Sequence, residues 1–160
     1  MNAPLRKSVR QKRGRGVAAG WYGIARTATI DRAGAWAELD DGGTAKIITG
    51  VTEIGEGILT VLAQIAADEL GIKPQDVTIG DNDTARSPEA AHAGATRQTY
   101  MIGNAVALAC REARKRLIKE LAQEWEISED DIVCVNGMVN TVDRTHCMTM
   151  NEAVELCKNR

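Results

Sequence analysis

The chain of 160 residues is long enough to bury a core of its own without disulfide or metal staples. Hydrophobic residues at 44% and charged residues at 26% exclude wholesale disorder and fibrous repeats, and no apolar run reaches the roughly 18–20 residues of a membrane span. The net charge of −2 hides a division: residues 1–15 hold Arg6, Lys7, Arg10, Lys12, Arg13 and Arg15 with no acid, which leaves −8 on the remainder.

Residues 1–15 therefore read as a basic flexible arm or linker, and 16–160 as one acidic domain. No signal-peptide apolar segment follows the basic start. Cys110, Cys134, Cys147 and Cys157 form no C-x-x-C pair and read as reduced thiols, which points to the cytoplasm.

After the small, apolar run Val17 to Gly23, an extended pattern resumes at Ala28 to Ile30. Ala35 to Leu39 alternates, Asp40-Asp41-Gly42-Gly43 punctuates, and Thr44 to Thr49 is rich in β-branched residues, which predicts a hairpin. Apolar residues at Ile58, Leu59, Leu62, Ile65, Ala66 and Leu70 follow the helical period, with Gly71 placed as a C-cap and Pro74 soon after. Val77 to Ile79 reads as a short strand and 80–96 as a loop. A longer helix is expected from near Arg97 to Glu124, with Met101, Ala105, Leu108, Ala109, Ala113, Leu117 and Leu121 along one face. Glu112 and Arg116 make an i,i+4 pair on its surface. Ser128 to Asp131 suits a cap or single turn, and Asn136-Gly137 between two apolar runs predicts a second hairpin. Thr149 is placed to cap a last helix over 151–158. The fold class is α+β: a mainly antiparallel or mixed sheet, two long helices packed on one side and a short C-terminal helix.

No nucleophile or general-base motif stands out, and no catalytic or metal-ligating residue is assigned. Asp81-Asn82-Asp83 lacks the spacing of a calcium loop and reads as a turn. Two segments share a physical form: Gly55-Glu56-Gly57 leads into the first helix, and Gly94-Ala95-Thr96-Arg97-Gln98 leads into the second. Helix starts carry N–H groups without intrahelical partners and a partial positive charge, and Thr96 and Arg97 add what a phosphate favours. An anion-binding crevice between the two segments is the expectation, in which unpaired amides of both helix starts face one pocket. Glycine loops acting only as turns are the bland alternative.

The run Gly50-Val-Thr-Glu-Ile-Gly-Glu-Gly-Ile-Leu-Thr60, continued by Leu62 to Ile72, resembles the molybdenum-binding subunit of the xanthine dehydrogenase/aldehyde oxidase family. The likeness continues through Val77, Asp83-Thr84, Pro88 and Gly94 to Thr99, with Gly103-Asn-Ala-Val106 behind. Arg13 to Trp21 is similar to the start of that subunit's second molybdopterin-binding half. The resemblance implies that 16–160 is a partial molybdopterin-binding domain of an oxidoreductase that hydroxylates aldehydes or N-heterocycles with oxygen from water. The implied cofactor is molybdopterin with molybdenum, as such or as its cytosine dinucleotide. Ile54, Gly55, Glu56 and Gly57 are the implied pterin contacts; Gly94, Ala95, Thr96, Arg97 and Gln98 are the implied holders of its pterin and phosphate portion.

Glu56 stands where the family commonly has Gln, and an ionised Glu only accepts hydrogen bonds. The family's substrate-side glutamine motif, its Gly-Glu base motif and its iron–sulfur cysteines have no counterpart here, so the chain reads as a piece of a larger subunit, with no turnover expected alone. Implied partners are the rest of that subunit and the iron–sulfur and FAD domains or subunits, with no membrane. Self-association of the isolated chain is expected from exposed apolar surface. A nucleic-acid module using the basic arm is the competing class, opposed by the acidic body and by only three Trp, two Tyr and no Phe. A non-catalytic assembly domain is the third, and Arg97→Ala is expected to separate it from cofactor binding.

Overall fold

The first strand pair turns on Asp40 to Gly43. The Gly43 amide returns to the Asp40 carbonyl at 2.9 Å with Gly43 in the left-handed region, at φ 68°. This computed structural model describes residues 13–20, 22–24, 31–80 and 82–158. The extended pattern expected at 28–30, Asp81 and most of the basic arm lie outside the described residues.

Strands β1 (Trp36–Leu39) and β2 (Ala45–Ile48) pair antiparallel, Trp36 opposite Ile48 and Leu39 opposite Ala45. Ala45 and Ile47 face the core while Lys46 faces solvent, the period-2 alternation of a half-buried strand. Helix α1 (Ile58–Leu70) then crosses to β3 (Val77–Ile79), which lies parallel to β2. A parallel neighbour needs such a crossover, because a tight turn can only return the chain antiparallel. α1 buries Ile58, Leu62, Ala66, Ala67 and Leu70 and ends at Gly71, where the Gly71 and Ile72 amides both reach the Ala67 carbonyl, at 2.9 and 3.0 Å.

The second long helix differs from its expectation at its start. Residues Gln98–Ile102 form one wide π-helical turn, and α2 proper runs over Gly103–Trp125. Its buried side carries Val106, Ala107, Cys110, Leu117, Leu121 and Ala122, so the expected apolar row was rotated: Leu108 is 63% exposed. α1 and α2 pack on one another, close enough at Gly103 that an added Cβ would stand 3.0 Å from Ile65 Cδ1. The Glu112–Arg116 pair forms on the solvent side at 3.2 Å.

A second sheet follows. β4 (Ile132–Val135) and β5 (Met138–Thr141) are joined by Asn136 and Gly137, both left-handed, as the expected tight turn requires. β5 also pairs with β6 (Cys147–Thr149), a strand that periodicity does not reveal. α3 (Met150–Lys158) begins with a reciprocal cap: the Glu152 amide donates to Thr149 Oγ1 and the Thr149 amide donates to Glu152 Oε2, at 3.2 and 2.7 Å. The α+β class holds, with the strands divided between two three-stranded sheets. One apolar core joins them, from Ile47 and Leu62 through Val106 and Leu121 to Val139 and Ala153. Cys110 lies in it, and burial pushes its thiol up to about 12. All four cysteines are free.

Candidate functional site

The segment leading into α1 folds around its own carboxylate. Gly55 and Gly57 take φ of 98° and 81°, conformations that carry a Cβ penalty for other residues. The resulting loop turns its amides toward Glu53, whose side chain accepts from Gly55, Gly57 and Leu59 at 2.7, 2.9 and 3.3 Å. Above all the Gly57 amide, then those of Gly55 and Leu59, hold the Glu53 carboxyl below its usual 4.5. The expected row of unpaired amides at this helix start is therefore corrected: Glu53 already occupies it. Sequence reasoning passed over Glu53, although an acid just ahead of a helix start is itself a capping signal.

Because the folded value is depressed, the contribution of Glu53 is present above its unfolded pKa and is lost as pH falls through the folded one. The Gly55 and Gly57 amide resonances are expected to titrate together with a midpoint below 4.5, and Glu53→Gln to abolish the transition. A midpoint at or above that value would show that the cap does not form in solution.

The second segment is held differently. Ala95 and Thr96 are consecutive left-handed residues, at φ 49° and 59°, and neither is glycine. Each costs about 1–2 kcal/mol, and a β-branched Thr is an outlier in this region. The next residue supplies the restraint. Arg97 is fully buried; its Nε donates to Asp31 Oδ1 at 2.6 Å, its Nη1 to the Ala90 carbonyl and to that of His92, and its Nη2 to the Arg32 carbonyl. The expectation that Arg97 offers its charge to a phosphate is corrected accordingly. The guanidinium turns inward and ties the 31–34 segment to the 90–97 loop, which a further bond from the Gly34 amide to Glu89 reinforces at 2.9 Å.

The two segments meet. Gln98 Nε2 donates to Glu56 Oε1, and Glu56 Oε2 accepts from the Ile54 amide at 2.8 Å. Ile54, Glu56 and residues 94–99 line one shallow cleft of about 180 Å³. Gly55 and Gly57 lie in the same loop without lining it. Gln98 is only 7% exposed, and its Oε1 has no hydrogen-bond partner. The amide orientation is dictated by its neighbour, since the reverse assignment would set oxygen against the Glu56 carboxylate. A larger groove of about 540 Å³, between β1, α2 and α3, is lined by none of these residues. Among the described residues no group of three or more His, Cys, Asp or Glu gathers as a metal site would require.

A sequence model of the molybdopterin cofactor-binding domain matches residues 2–159. The chain belongs to the molybdopterin cofactor-binding domain family. Over 103 residues this domain is 36% identical to the 6-hydroxypseudooxynicotine dehydrogenase complex subunit gamma of Paenarthrobacter nicotinovorans, covering 62% of this chain and 13% of that protein. It is 29% identical over 143 residues to the aldehyde oxidoreductase of Megalodesulfovibrio gigas, covering 85% of this chain and 16% of the relative. The structure of quinoline 2-oxidoreductase from Pseudomonas putida 86 superposes with a TM-score of 0.73 at 29% identity, over 80% of this chain and 16% of that one. The domain thus spans about one seventh of the length of the relatives it matches. Among the described residues no helix is long and apolar enough to cross a membrane.

Proposed function

We propose that this domain forms one wall of the molybdopterin site in a xanthine dehydrogenase/aldehyde oxidase-like hydroxylase. Ile54 to Gly57 lie on one side of that wall and Gly94 to Gln98 on the other. The observation that carries the reading is their juxtaposition. Two glycine-bearing segments, 42 residues apart at the Glu56–Gln98 contact, close on one cleft in a chain of the molybdopterin-binding family.

The residues fit such a guest in part. The buried Gln98 oxygen lacks a donor, and a pterin ring carries N–H groups that supply one. At about 180 Å³ the cleft lies below the roughly 300 Å³ at which small-molecule pockets begin, so it takes an edge of a tricyclic cofactor and leaves the rest to other walls. When bound, the cofactor supplies the redox chemistry by which the family hydroxylates aldehydes or N-heterocycles. This chain's own part is to hold and orient, with Arg97 and Asp31 fixing the second segment from behind.

The other walls belong to the rest of the subunit, and electrons leave through iron–sulfur and FAD domains or subunits in the cytoplasm. Trp36 and Leu108, 57% and 63% exposed, are apolar surface that those partners cover and that favours self-association of the isolated chain. Titration of the chain with isolated molybdopterin, followed by tryptophan fluorescence, tests the reading. Saturable one-to-one binding that survives removal of residues 1–15 is expected, with no hydroxylation by the chain alone. Failure to bind, or binding of DNA that is salt-dependent and needs residues 1–15, would overturn it.

A further inference from the structure

Resting on that reading, we propose that the Glu56–Gln98 cleft seats a neutral N–H donor edge of a planar heterocycle, of the aminopyrimidinone type, and excludes phosphate. The side chains that meet there present acceptors. Gln98 Oε1 is buried without a partner, so a ligand N–H placed against it satisfies a group that the free chain leaves unpaired. Glu56 adds a carboxylate whose two oxygens receive only one bond each from the protein, from Gln98 and from the Ile54 amide. Carboxylate oxygens have room for a second donor. An amino group and a ring N–H side by side match this pair of acceptors. Ile54, an apolar side chain 69% exposed on the same rim, offers a surface for a ring face.

An anion meets the opposite conditions. The amides of Gly55, Gly57 and Leu59 that a phosphate would use are bonded to Glu53. Glu53 and Glu56 place two negative charges within one short loop, and like charges at this range repel. The only nearby guanidinium, among the described residues that line the cleft, is that of Arg97, and it is turned away into the core. The anion-binding form of a helix start is therefore present in outline and cancelled in charge.

The test uses the full chain with two separate probes, 6-hydroxymethylpterin, which carries no phosphate, and inorganic pyrophosphate. Quenching of the pterin fluorescence is expected to saturate, and Gln98→Met to weaken binding about tenfold, the factor that one hydrogen bond to a buried acceptor is worth. Glu56→Ala, at an exposed position where folding is not at stake, is expected to weaken it similarly. Pyrophosphate at millimolar concentration is expected neither to bind nor to compete. It gains binding only when Glu53→Gln and Glu56→Gln are combined. Pterin binding unchanged in both single variants, or pyrophosphate competing in the parent chain, would overturn the inference. If molybdopterin binds while the phosphate-free pterin does not, the inference falls and the proposed function stands; if neither binds, both fall.

Discussion

Arg97→Met is expected to lower the stability of the chain by about 3–5 kcal/mol, the cost of leaving one member of a buried ion pair without the other. Arg97 is fully buried and the Asp31 side chain is 8% exposed, so neither charge has water to fall back on. The same substitution removes the donors that serve the carbonyls of Arg32, Ala90 and His92. It also releases the restraint on the left-handed pair Ala95–Thr96. Against a typical total of about 5–15 kcal/mol, such a loss brings the domain near its folding threshold. Arg97→Lys is expected to recover little, because one ammonium cannot reproduce the planar fork that reaches several acceptors at once. Urea midpoints for Arg97→Met, Asp31→Asn and the double variant provide the check, with the double variant less destabilised than the sum of the two. Strict additivity would mean that the pair does not form. The same structural role means that Arg97→Ala does not separate cofactor binding from a purely structural loop, as the charge pattern had suggested. A loss of binding would follow from either.

Gly71→Ala is expected to cost about 3 kcal/mol, and the reason is separable into two parts. Gly71 has φ of 73°, where a Cβ carries a penalty of about 1–2 kcal/mol. A Cβ at this position would also lie 2.2 Å from the Cys134 carbonyl oxygen, so β4 would have to move away from the end of α1, an overpacking cost of about 1–3 kcal/mol. Gly137 provides the comparison, with φ of 80° and nothing within 4 Å of its added Cβ. Gly137→Ala should therefore show the backbone penalty alone. The difference between the two variants in one denaturation series measures the contact between α1 and the second sheet. That contact is fastened by the Gly137 amide on the Gly71 carbonyl at 2.8 Å. Equal losses would show that the helix end and the hairpin are not pressed together.

What could be read before any coordinates were those features whose cause lies within a few residues. Gly71 ends α1, Asn136-Gly137 turns the second hairpin, Thr149 and Glu152 cap α3, and Val77–Ile79 forms a strand, each by local rules. The row of apolar residues on α2 was misplaced because alanines at 105, 107 and 109 leave little contrast between neighbouring faces. The partner helix then chose Val106 and Cys110 over Leu108. β6 escaped notice because three residues with one apolar side chain between turns carry no period.

The candidate site divides along the same line. Its two segments were legible as glycine-bearing helix starts, and the family likeness is written in their residues. How they use their charges was not. Arg97 finds Asp31 across 66 positions and Gln98 finds Glu56 across 42, and a linear reading has no term for such distances. Composition and short-range pattern therefore set the α+β class, the element boundaries and the kind of loop at each helix start. Chain folding alone settled which polar groups those loops spend on the protein itself and which, like Gln98 Oε1, remain for a guest. A side chain's partner is fixed by what the rest of the chain brings beside it, and burial makes every unsatisfied group count.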